Sequence, residues 1–366
     1  MNRLQDVDYM QMAYGLAEKA LGQASPNPYV GALVVKDGRL VGHGHHEGAG
    51  RPHAETVALR RAGRRAKGAT LYVTLEPCVH WGRTPPCADE VCASDLSRVV
   101  VSALDPNPLV YRKGIRRMKA AGLEVNVGVL AERNLRLNEF YIKYITRKVP
   151  FVTLKAAVSL DGKMATRTFD SRWISSPAAR EYIHCLRGEY DALLVGLKTV
   201  LRDDPLLTVR HPNWPKKKIT RVILDGELRF PPGARLLSTL DRGGIIVFTR
   251  GDAPLAKIRA LGKKGVEVVI LPGRGPNLDL GPVLDELGRR EIASVLVEGG
   301  GATNSAFLDG KLADKVLLTI SPRFIGGRDA VSVFGGRGAA VLKDALFLKT
   351  VTTFRIGEDT IVEGYL

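Results

Sequence analysis

Short apolar segments alternate with amphipathic segments along most of this chain, and that alternation is the strongest constraint on its fold. Val30–Val35 and Ala69–Leu75 have the composition of strands, whereas residues 7–22 place apolar side chains at helical spacing. Segments of both kinds in alternation predict an α/β fold, in which a sheet is layered with helices. The chain has 366 residues, and at about 150 residues per domain this length predicts two domains.

The same alternation continues in the second half, although no internal repeat relates the two halves. Pro150 follows a helix predicted near 131–146, so we predict domains of residues 1–148 and 149–366. Further strands are predicted at Leu40–Gly44, Arg98–Leu104, Leu123–Val127, Phe151–Ser159, Ala192–Val195, Thr220–Asp225, Gly244–Phe248, Val266–Leu271, Ser294–Glu298, Lys315–Ile320, Thr352–Arg355 and Asp359–Tyr365. Further helices are predicted at 52–65, 86–94, Gly114–Ala121, Pro177–Arg187 and Asp279–Arg290.

Composition narrows the class of protein. Apolar residues make up 45% of the chain and charged residues 25%, which is typical of globular domains. We expect no membrane partner, because no apolar run approaches a transmembrane length and the N-terminus lacks the apolar region of a secretory signal. Four cysteines are too few for a disulfide scaffold and fit a reducing compartment, so we predict a cytoplasmic location.

The net charge of +16 is the unusual bulk property. A basic protein often binds anions such as nucleic acid, a membrane surface or phosphorylated metabolites. The alternative is a solvated basic surface without a specific partner. The basic residues are scattered, and none of their clusters has the length of a nucleic-acid-binding arm.

One histidine and two cysteines of the first half have the residue types of a zinc site. Pro52-His53-Ala54-Glu55 is followed by Glu76-Pro77-Cys78 and by Pro86-Cys87. An imidazole and two thiolates make three protein ligands, the pattern of a catalytic zinc whose fourth position is open to water. A closed structural site is disfavoured, because no further Cys or His stands at the spacing of a fourth ligand.

Glu55 lies two residues after His53, which on a helix separates the two side chains by about 200°. It is therefore a poor fourth ligand, but from the first helical turn it can reach the cavity and shuttle protons. Zinc nucleobase deaminases carry His-x-Glu followed by Pro-Cys-x-x-Cys, with the glutamate as acid and base. This chain matches the first part and departs in the second, because nine positions separate Cys78 from Cys87.

The segment Leu75–Cys87, with the sequence LEPCVHWGRTPPC, resembles the deaminase half of the bifunctional riboflavin-biosynthesis deaminase/reductase family. The resemblance covers nearly the whole chain in order. Further matching motifs lie at Ser25–Pro28, His53–Glu55, Asp105–Pro108, Leu154-Lys155, Ser159–Lys163, Ser171–Ile174, Asp203–Pro205 and Val297–Gly300. It implies an N-terminal cytidine-deaminase-like domain fused to a C-terminal dihydrofolate-reductase-like domain.

The resemblance also implies two successive reactions on one small phosphorylated pyrimidine. The first is zinc-dependent hydrolytic deamination of 2,5-diamino-6-(5-phosphoribosylamino)pyrimidin-4-one, and the second is reduction of the ribosyl side chain to ribityl with NADPH. It implies no nucleic-acid partner, and a homo-oligomer that is a dimer or a tetramer.

The resemblance implies a role for each matching residue. In the deaminase half His53, Cys78 and Cys87 would bind zinc, and Glu55 would shuttle protons. The residues that would contact the substrate there are Asn27, His46, His80 and Arg83. His43 and His45 lie in the same turn as His46 and are alternatives to it. In the reductase half NADPH contacts fall to Ala157, Trp173, Thr199, Asp203, Gly300, Gly301, Ala302, Thr303, Asn304, Ser305 and Ala306. Substrate contacts fall to Lys155, Ser171, Ser175, Arg187, Leu207, Arg210 and Glu298.

Elementary chemistry supports part of this assignment. Gly299–Gly301 follows a predicted strand and opens a predicted helix, so its backbone amides can approach a phosphate closely; the alternative is a plain turn. Arg187 and Arg210 have the side chain that grips a phosphate in a bidentate manner.

The chain also departs from the family pattern. Val79 replaces a serine, Tyr111-Arg112 replaces Ala-Gly, Phe169 replaces a glycine, and Gly226 replaces a small polar residue. If the glycine at 169 requires a positive φ, Phe169 is strained. Two alternatives stay open. The net charge of +16 favours the first, a nucleic-acid-editing zinc deaminase with an appended binding domain. Phe169 is the only sequence support for the second, an active deaminase fused to a reductase-like domain that only scaffolds.

Overall fold

The structure is a computed structural model, and it describes residues 4–273 and 278–366. Contacts divide the chain into one compact unit that ends at Lys148 and a second that begins at Val149. Within the described residues, no helix combines the length and the apolar character that a membrane crossing requires.

The first unit is built on a mixed sheet. Its described strands are β1 (Gly31–Lys36), β2 (Arg39–His45), β3 (Thr70–Leu75), β4 (Arg98–Ala103) and β5 (Glu124–Val127). They lie in the order β2-β1-β3-β4-β5, with β1 antiparallel to β2 and β3, and the β3–β4 and β4–β5 pairs parallel. Its described α-helices are α1 (Asp6–Ala17), α2 (Ala54–Ala62), α3 (Cys87–Cys92), α4 (Lys113–Ala120), α5 (Ala131–Leu137) and α6 (Glu139–Arg147).

Alternation along the strands gives this sheet two apolar faces. Val34 and Val73 belong to the core formed with α2, α3 and α4, whereas Leu33 and Tyr72 pack with α1 on the other side. Successive side chains of a strand point to opposite faces, so each strand contributes to both cores.

Two glycines of β2 let α2 approach the sheet closely. A Cβ atom at Gly42 would lie 2.2 Å from the carbonyl oxygen of Ala58, and one at Gly44 would lie 2.6 Å from the carbonyl oxygen of Ala54. No larger residue fits there without a shift of the helix backbone. This close packing fixes the start of α2, where two of the predicted site residues lie.

The second unit is built on a larger, mostly parallel sheet. Its described strands are β6 (Phe151–Ser159), β7 (Lys163–Ala165), β8 (Ala192–Gly196), β9 (Thr220–Leu224), β10 (Ile245–Arg250), β11 (Val266–Leu271), β12 (Ser294–Val297), β13 (Lys315–Ser321), β14 (Val331–Ser332), β15 (Lys349–Ile356) and β16 (Asp359–Tyr365). The main sheet has the order β11-β10-β9-β8-β12-β6-β13-β16-β15, parallel from β11 to β13 and antiparallel thereafter, and β7 pairs with β14. Its described α-helices are α7 (Pro177–Arg187), α8 (Leu197–Asp203), α9 (Leu255–Gly262), α10 (Leu280–Arg289) and α11 (Gly301–Asp309).

The predicted elements agree with the observed ones in most places. The continuous helix predicted near 131–146 is wrong, because the chain turns between α5 and α6 at Asn138. There the Asn138 side chain accepts the backbone N–H of Tyr29 at 2.7 Å and donates to its carbonyl at 3.1 Å. The predicted helix at 7–22 ends at Ala17 and continues as a short 3-10 turn.

The glycine packing yields a first prediction. Gly44→Ala is expected to lower the free energy of unfolding of the first unit by about 1–3 kcal/mol, because its Cβ overlaps the α2 backbone. Gly15→Ala is the matched control, since Gly15 is exposed in α1 and its Cβ would meet nothing within 4 Å. That control is expected to raise stability by about 0.5–1 kcal/mol. Equal unfolding midpoints of the two variants in urea would contradict the packing argument.

Candidate functional site

The three predicted zinc ligands converge from separate segments of the first unit. His53 is the residue that precedes α2, Cys78 lies in the loop after β3, and Cys87 is the first residue of α3. The His53 Nδ1 atom lies 2.7 Å from Cys87 Sγ and 3.6 Å from Cys78 Sγ, and the two sulfurs are 3.5 Å apart. One imidazole nitrogen and two thiol sulfurs therefore face a common point.

The chemistry of this donor set fits zinc. Imidazole nitrogen and cysteine sulfur are the ligands that zinc prefers, and a set of three leaves one position open. The neighbouring Cys87 thiol lowers the pKa of Cys78, and the backbone N–H of Cys87 donates to the Cys78 sulfur at 3.3 Å. The site therefore favours the thiolate form of Cys78, the form that a metal ligand requires, whereas the Cys78 sulfur and burial raise the pKa of Cys87.

Thr84 contacts the His53 ring on the side away from the sulfurs. Sequence reasoning did not identify this residue. Its Oγ1 atom lies 3.0 Å from His53 Nε2, the ring nitrogen that faces away from the sulfurs. The contact fixes the orientation of the ring with Nδ1 toward the sulfurs. In many metal sites a partner on the second ring nitrogen holds the ligand in this way.

Glu55 is buried in the first turn of α2, with 4% of its surface exposed. Burial raises the pKa of its carboxyl group to about 7. The carboxyl group lies beside the ligand set, because it interacts with the Cys87 side chain through a hydrogen bond and with His53 electrostatically. The helical geometry thus places an acid beside the ligand set without making it a ligand.

The structure places His46 beside the zinc-ligand set, next to His53, and Asn27 contacts His46. His46 Nδ1 lies 3.2 Å from the carbonyl of Pro52 and its Nε2 lies 3.0 Å from Asn27 Nδ2. The carbonyl accepts and the amide nitrogen donates, so Nδ1 carries the proton. His46 is buried with its ring 5.1 Å from that of His53, whereas His43 is exposed on β2.

His80 and Arg83 lie on the loop between the two cysteines. The Nδ1 atom of His80 is buried and has no hydrogen-bond partner among the described residues. Arg83 is exposed. A buried ring nitrogen without a partner is unfavourable, so His80 is poised for a ligand.

A buried carboxylate network behind the cysteines was also missed by the sequence analysis. Glu76 accepts the backbone N–H groups of Asp105, Arg112 and Ile115 at 3.0–3.3 Å. Asp105 in turn accepts the Tyr141 hydroxyl at 2.9 Å, and burial raises the pKa of Asp105 to about 6. These bonds fix the loop that carries the Asp105–Pro108 motif.

In the second unit, Lys155 and Glu298 are brought together by sheet register. Val297, the last residue of β12, pairs with Leu154 of β6, so Glu298 lies beside Lys155 at the carboxyl end of its strand. Glu298 accepts two hydrogen bonds from Arg187, at 2.6 and 2.7 Å. Burial raises the pKa of Glu298 and Arg187 lowers it, with a net value of about 2.

The predicted glycine-rich segment Gly299–Gly301 lies between the end of β12 and the start of α11, as expected. Gly300 precedes α11, and a Cβ at Gly299 would lie 2.5 Å from the Thr303 side chain. A Cβ at Gly196, which precedes α8, would lie 2.7 Å from the same threonine, so two helix starts meet here. The Oδ1 atom of Asn304 is buried without a partner among the described residues. Backbone N–H groups at helix starts are suited to a phosphorylated cofactor.

The other predicted residues of the reductase half lie on β6, on α8 and in the loops next to α7 and α8. Trp173 is exposed under the Arg180 guanidinium, and the Asp203 carbonyl accepts from Arg172 at 2.9 Å. Ala157 lies two residues beyond Lys155 on the same face of β6. Thr199 lies on α8, Leu207 follows it, and Ser171 and Ser175 lie in the loop before α7.

Phe169 adopts a φ of 66°, in the left-handed region that glycine enters freely. The ring lies 3.7 Å below the guanidinium carbon of Arg202. The conformation expected for a glycine is therefore kept by a phenylalanine. Arg112, which also stands where the family has glycine, likewise has a positive φ of 60°.

Comparison with known families agrees with this geometry. Residues 3–103 match the cytidine and deoxycytidylate deaminase zinc-binding region, and residues 150–362 match the RibD C-terminal domain. The chain is 44% identical over 357 residues to the riboflavin biosynthesis protein RibD of Aquifex aeolicus, covering 98% of this chain and 97% of that protein. It is 37% identical to RibD of Escherichia coli over 370 residues, covering 97% and 98%.

Two solved structures share the fold of the whole chain. RibD of Acinetobacter baumannii is 36% identical with a TM-score of 0.87, covering 98% of each chain. A diaminohydroxyphosphoribosylaminopyrimidine deaminase/5-amino-6-(5-phosphoribosylamino)uracil reductase of Thermotoga maritima is 38% identical with a TM-score of 0.86, again covering 98% of each. The predicted fold class, a cytidine-deaminase-like unit fused to a reductase unit, is confirmed.

The Thr84 contact yields a second prediction. Thr84→Val is expected to weaken zinc binding about 10–100-fold, because the His53 ring loses the partner of its second nitrogen. Thr84→Ser keeps the hydroxyl and is expected to bind zinc like the parent protein. Competition with a chromophoric chelator measures both affinities. Equal zinc affinity of the valine and serine variants would contradict a role for the hydroxyl.

Proposed function

The chain belongs to the RibD family of bifunctional riboflavin-biosynthesis deaminase/reductases, and from that premise we propose which of its residues perform the two reactions. The enzyme removes an amino group from the phosphoribosylaminopyrimidine with zinc and then reduces the ribosyl side chain with NADPH. We assign the first reaction to residues 1–148 and the second to residues 149–366. Membership over nearly the full length favours this metabolic role over nucleic-acid editing.

The observation that carries the deaminase assignment is the convergence of His53, Cys78 and Cys87 beside the buried Glu55. We assign the three residues to zinc, which supplies an activated water at neutral pH when bound. Glu55 accepts a proton from the attacking water and returns it to the departing amino group. A carboxyl group in this position suits both transfers because it is confined beside the ligand set and away from bulk water.

Four further residues are assigned to the pyrimidine substrate. Asn27 and His46 contact each other beside His53, and the Pro52 carbonyl fixes the proton on His46 Nδ1. His80 contributes its unpartnered ring nitrogen. Arg83, on the same loop, is exposed and carries the charge that suits the phosphoribosyl group.

In the reductase unit NADPH supplies the hydride, and the protein supplies placement and charge. We assign the N-terminal part of α11, Gly300–Ala306, to the cofactor together with Ala157, Trp173, Thr199 and Asp203. The substrate residues are Lys155, Ser171, Ser175, Arg187, Leu207, Arg210 and Glu298. The Arg187–Glu298 pair, whose side chains are about one-tenth exposed, keeps the carboxylate beside Lys155 ionised.

We propose that the protein is a cytoplasmic homo-oligomer, a dimer or a tetramer. Free thiols at Cys78, Cys87, Cys92 and Cys185 support a reducing compartment. The edge strand β15 and the segment before it expose several large apolar side chains, which supports association through the second unit. They include Leu342 at 91% and Phe347 at 86% exposure.

A third prediction tests the role of Glu55. Glu55→Gln is expected to lower the rate of ammonia release about 10²–10⁴-fold, because the amide cannot carry the proton. The same variant is expected to oxidise NADPH at the parental rate when given the pyrimidine already deaminated. Ammonia release and NADPH absorbance, followed on the zinc-loaded protein, measure the two steps separately.

Glu124→Gln provides the matched control, since Glu124 is exposed on β5 of the same unit. This control is expected to retain both activities. Normal ammonia release by the Glu55 variant would overturn the assignment. Parental ammonia release without NADPH oxidation on either substrate would instead support the alternative of a scaffolding second unit.

A fourth prediction concerns assembly. Light scattering is expected to give a mass of two or four chains, and Phe347→Glu is expected to shift it toward one chain by burying a charge at the contact. Leu109→Glu is the control, because Leu109 is 57% exposed in the first unit and is expected to leave the mass unchanged. A parent protein with the mass of one chain would disprove the oligomer.

A further inference from the structure

His184 lies between two arginines of the reductase unit, although the deaminase/reductase motifs do not include it. It is on α7, one turn before Arg187, and its Nδ1 atom lies 3.4 Å from Arg187 Nη1. Its Nε2 atom lies 3.0 Å from Nη2 of Arg210. Both ring nitrogens therefore face guanidinium groups.

Arg187 has little capacity left to bind a phosphate, although it lines the proposed substrate site. Its Nε and Nη2 atoms both donate to Glu298, and Nη1 donates to the carbonyl of Thr208 at 3.1 Å. The bidentate edge that the sequence analysis offered to a phosphate is thus already occupied by a carboxylate. Breaking that pair would leave a buried charge without its partner.

Arg210 is in the opposite situation. It is exposed, and its guanidinium contacts Thr208 Oγ1 at 3.0 Å and His184 Nε2 at 3.0 Å. A guanidinium has five N–H donors, so two contacts leave three for a ligand. Arg187, Arg210 and Lys155 face the one carboxylate of Glu298 in this cluster, so its electrostatics favour an anion.

The chemistry of the ring decides which contact is a hydrogen bond. Burial and the two nearby arginines lower the pKa of His184 to about 4, so the imidazole is neutral at pH 7. A neutral imidazole has one lone pair, whereas both arginines offer only donors. The shorter distance gives that lone pair to Nε2, which accepts from Arg210.

We propose that His184 is a positioning residue of the reductase site, whose Nε2 atom holds Arg210 so that the remaining guanidinium donors bind the phosphate ester of the pyrimidine substrate. The inference rests on the proposed function of this unit. An imidazole suits the position because it accepts a hydrogen bond without adding a negative charge. A carboxylate there would compete with the phosphate for the same guanidinium.

Two amide variants separate the ring nitrogens. The amide of His184→Gln reaches the place of Nε2 and can still accept from Arg210, whereas that of His184→Asn ends near Nδ1 and cannot. Steady-state reduction of the deaminated pyrimidine phosphate by the zinc-loaded full chain measures KM and kcat for both substrates. We expect His184→Asn to raise KM for the pyrimidine about tenfold, with kcat within about threefold of the parent, as for a lost charge-assisted hydrogen bond.

The KM for NADPH is expected to stay unchanged in both variants, which distinguishes the substrate phosphate from the phosphates of the cofactor. His184→Gln is expected to recover the parental KM. In the Arg210→Ala background, His184→Asn is expected to add no further loss, because the two residues act through one contact. Equal KM values for the glutamine and asparagine variants, a parallel rise in the KM for NADPH, or an additive double variant would overturn the proposal.

A binding measurement keeps the proposal testable without turnover. With NADPH saturating, inorganic phosphate is expected to raise the unfolding temperature of the parent and of His184→Gln, and to do so less for His184→Asn and Arg210→Ala. Absence of turnover by the parent would refute the proposed function, whereas equal phosphate protection of all four proteins would refute the role of His184. Parental unfolding temperatures without phosphate serve as the folding control.

Discussion

A carboxylate that is wholly or largely buried, at the carboxyl end of a strand, organises each of the two sites. Glu76 follows β3 and receives three backbone N–H groups from the segment 105–115. Glu298 follows β12 and receives two N–H groups of Arg187. The carboxyl ends of parallel strands are where open α/β sheets form their crevices. Each glutamate therefore joins the sheet to the loops and helices that carry the chemistry, and its loss would leave buried donors unpaired.

The two glutamates are held by different kinds of hydrogen-bond donor, backbone N–H groups for Glu76 and a guanidinium for Glu298. This difference suits the two reactions. Glu76 is satisfied by backbone groups, so it holds a loop behind the cysteines without bringing a cationic side chain to the zinc ligands. Glu298 is satisfied by a guanidinium, so a buried ion pair stands beside Lys155 at the substrate end of the sheet. The first arrangement suits a metal that brings its own positive charge. The second suits a phosphorylated substrate, since Arg210 is left to bind it.

Local pattern was sufficient to predict most strands and the position of Glu55 in the first turn of a helix, because each depends on near neighbours in the chain. The grouping of His53, Cys78 and Cys87 was instead inferred from residue type and family resemblance, since 25 and 34 residues separate the histidine from the two cysteines. His53 and Glu55 acquire their geometry from the start of one helix, and the glycines before α11 from one strand-to-helix turn. The roles of Thr84 and His184 depend on partners that sequence spacing does not show. Thr84 meets His53 only because the loop between the cysteines folds back, and His184 meets Arg210 across 26 residues. The break at Asn138 has the same origin, since its partner Tyr29 is 109 residues away.

Phe169 shows how a departure from the family pattern can be accommodated by a contact that sequence does not reveal. A left-handed conformation costs a residue with a side chain about 1–2 kcal/mol. The ring of Phe169 stacks on Arg202, a contact that contributes about 0.5–1 kcal/mol at an exposed site. The stacking offsets part of the strain, and glycine could not provide it. Arg202 lies on α8 between Thr199 and Asp203, so the same contact connects the loop before α7 to the helix assigned to NADPH. The substitution thus replaces a flexible position by a stacked one, and the geometry of the reductase unit is kept.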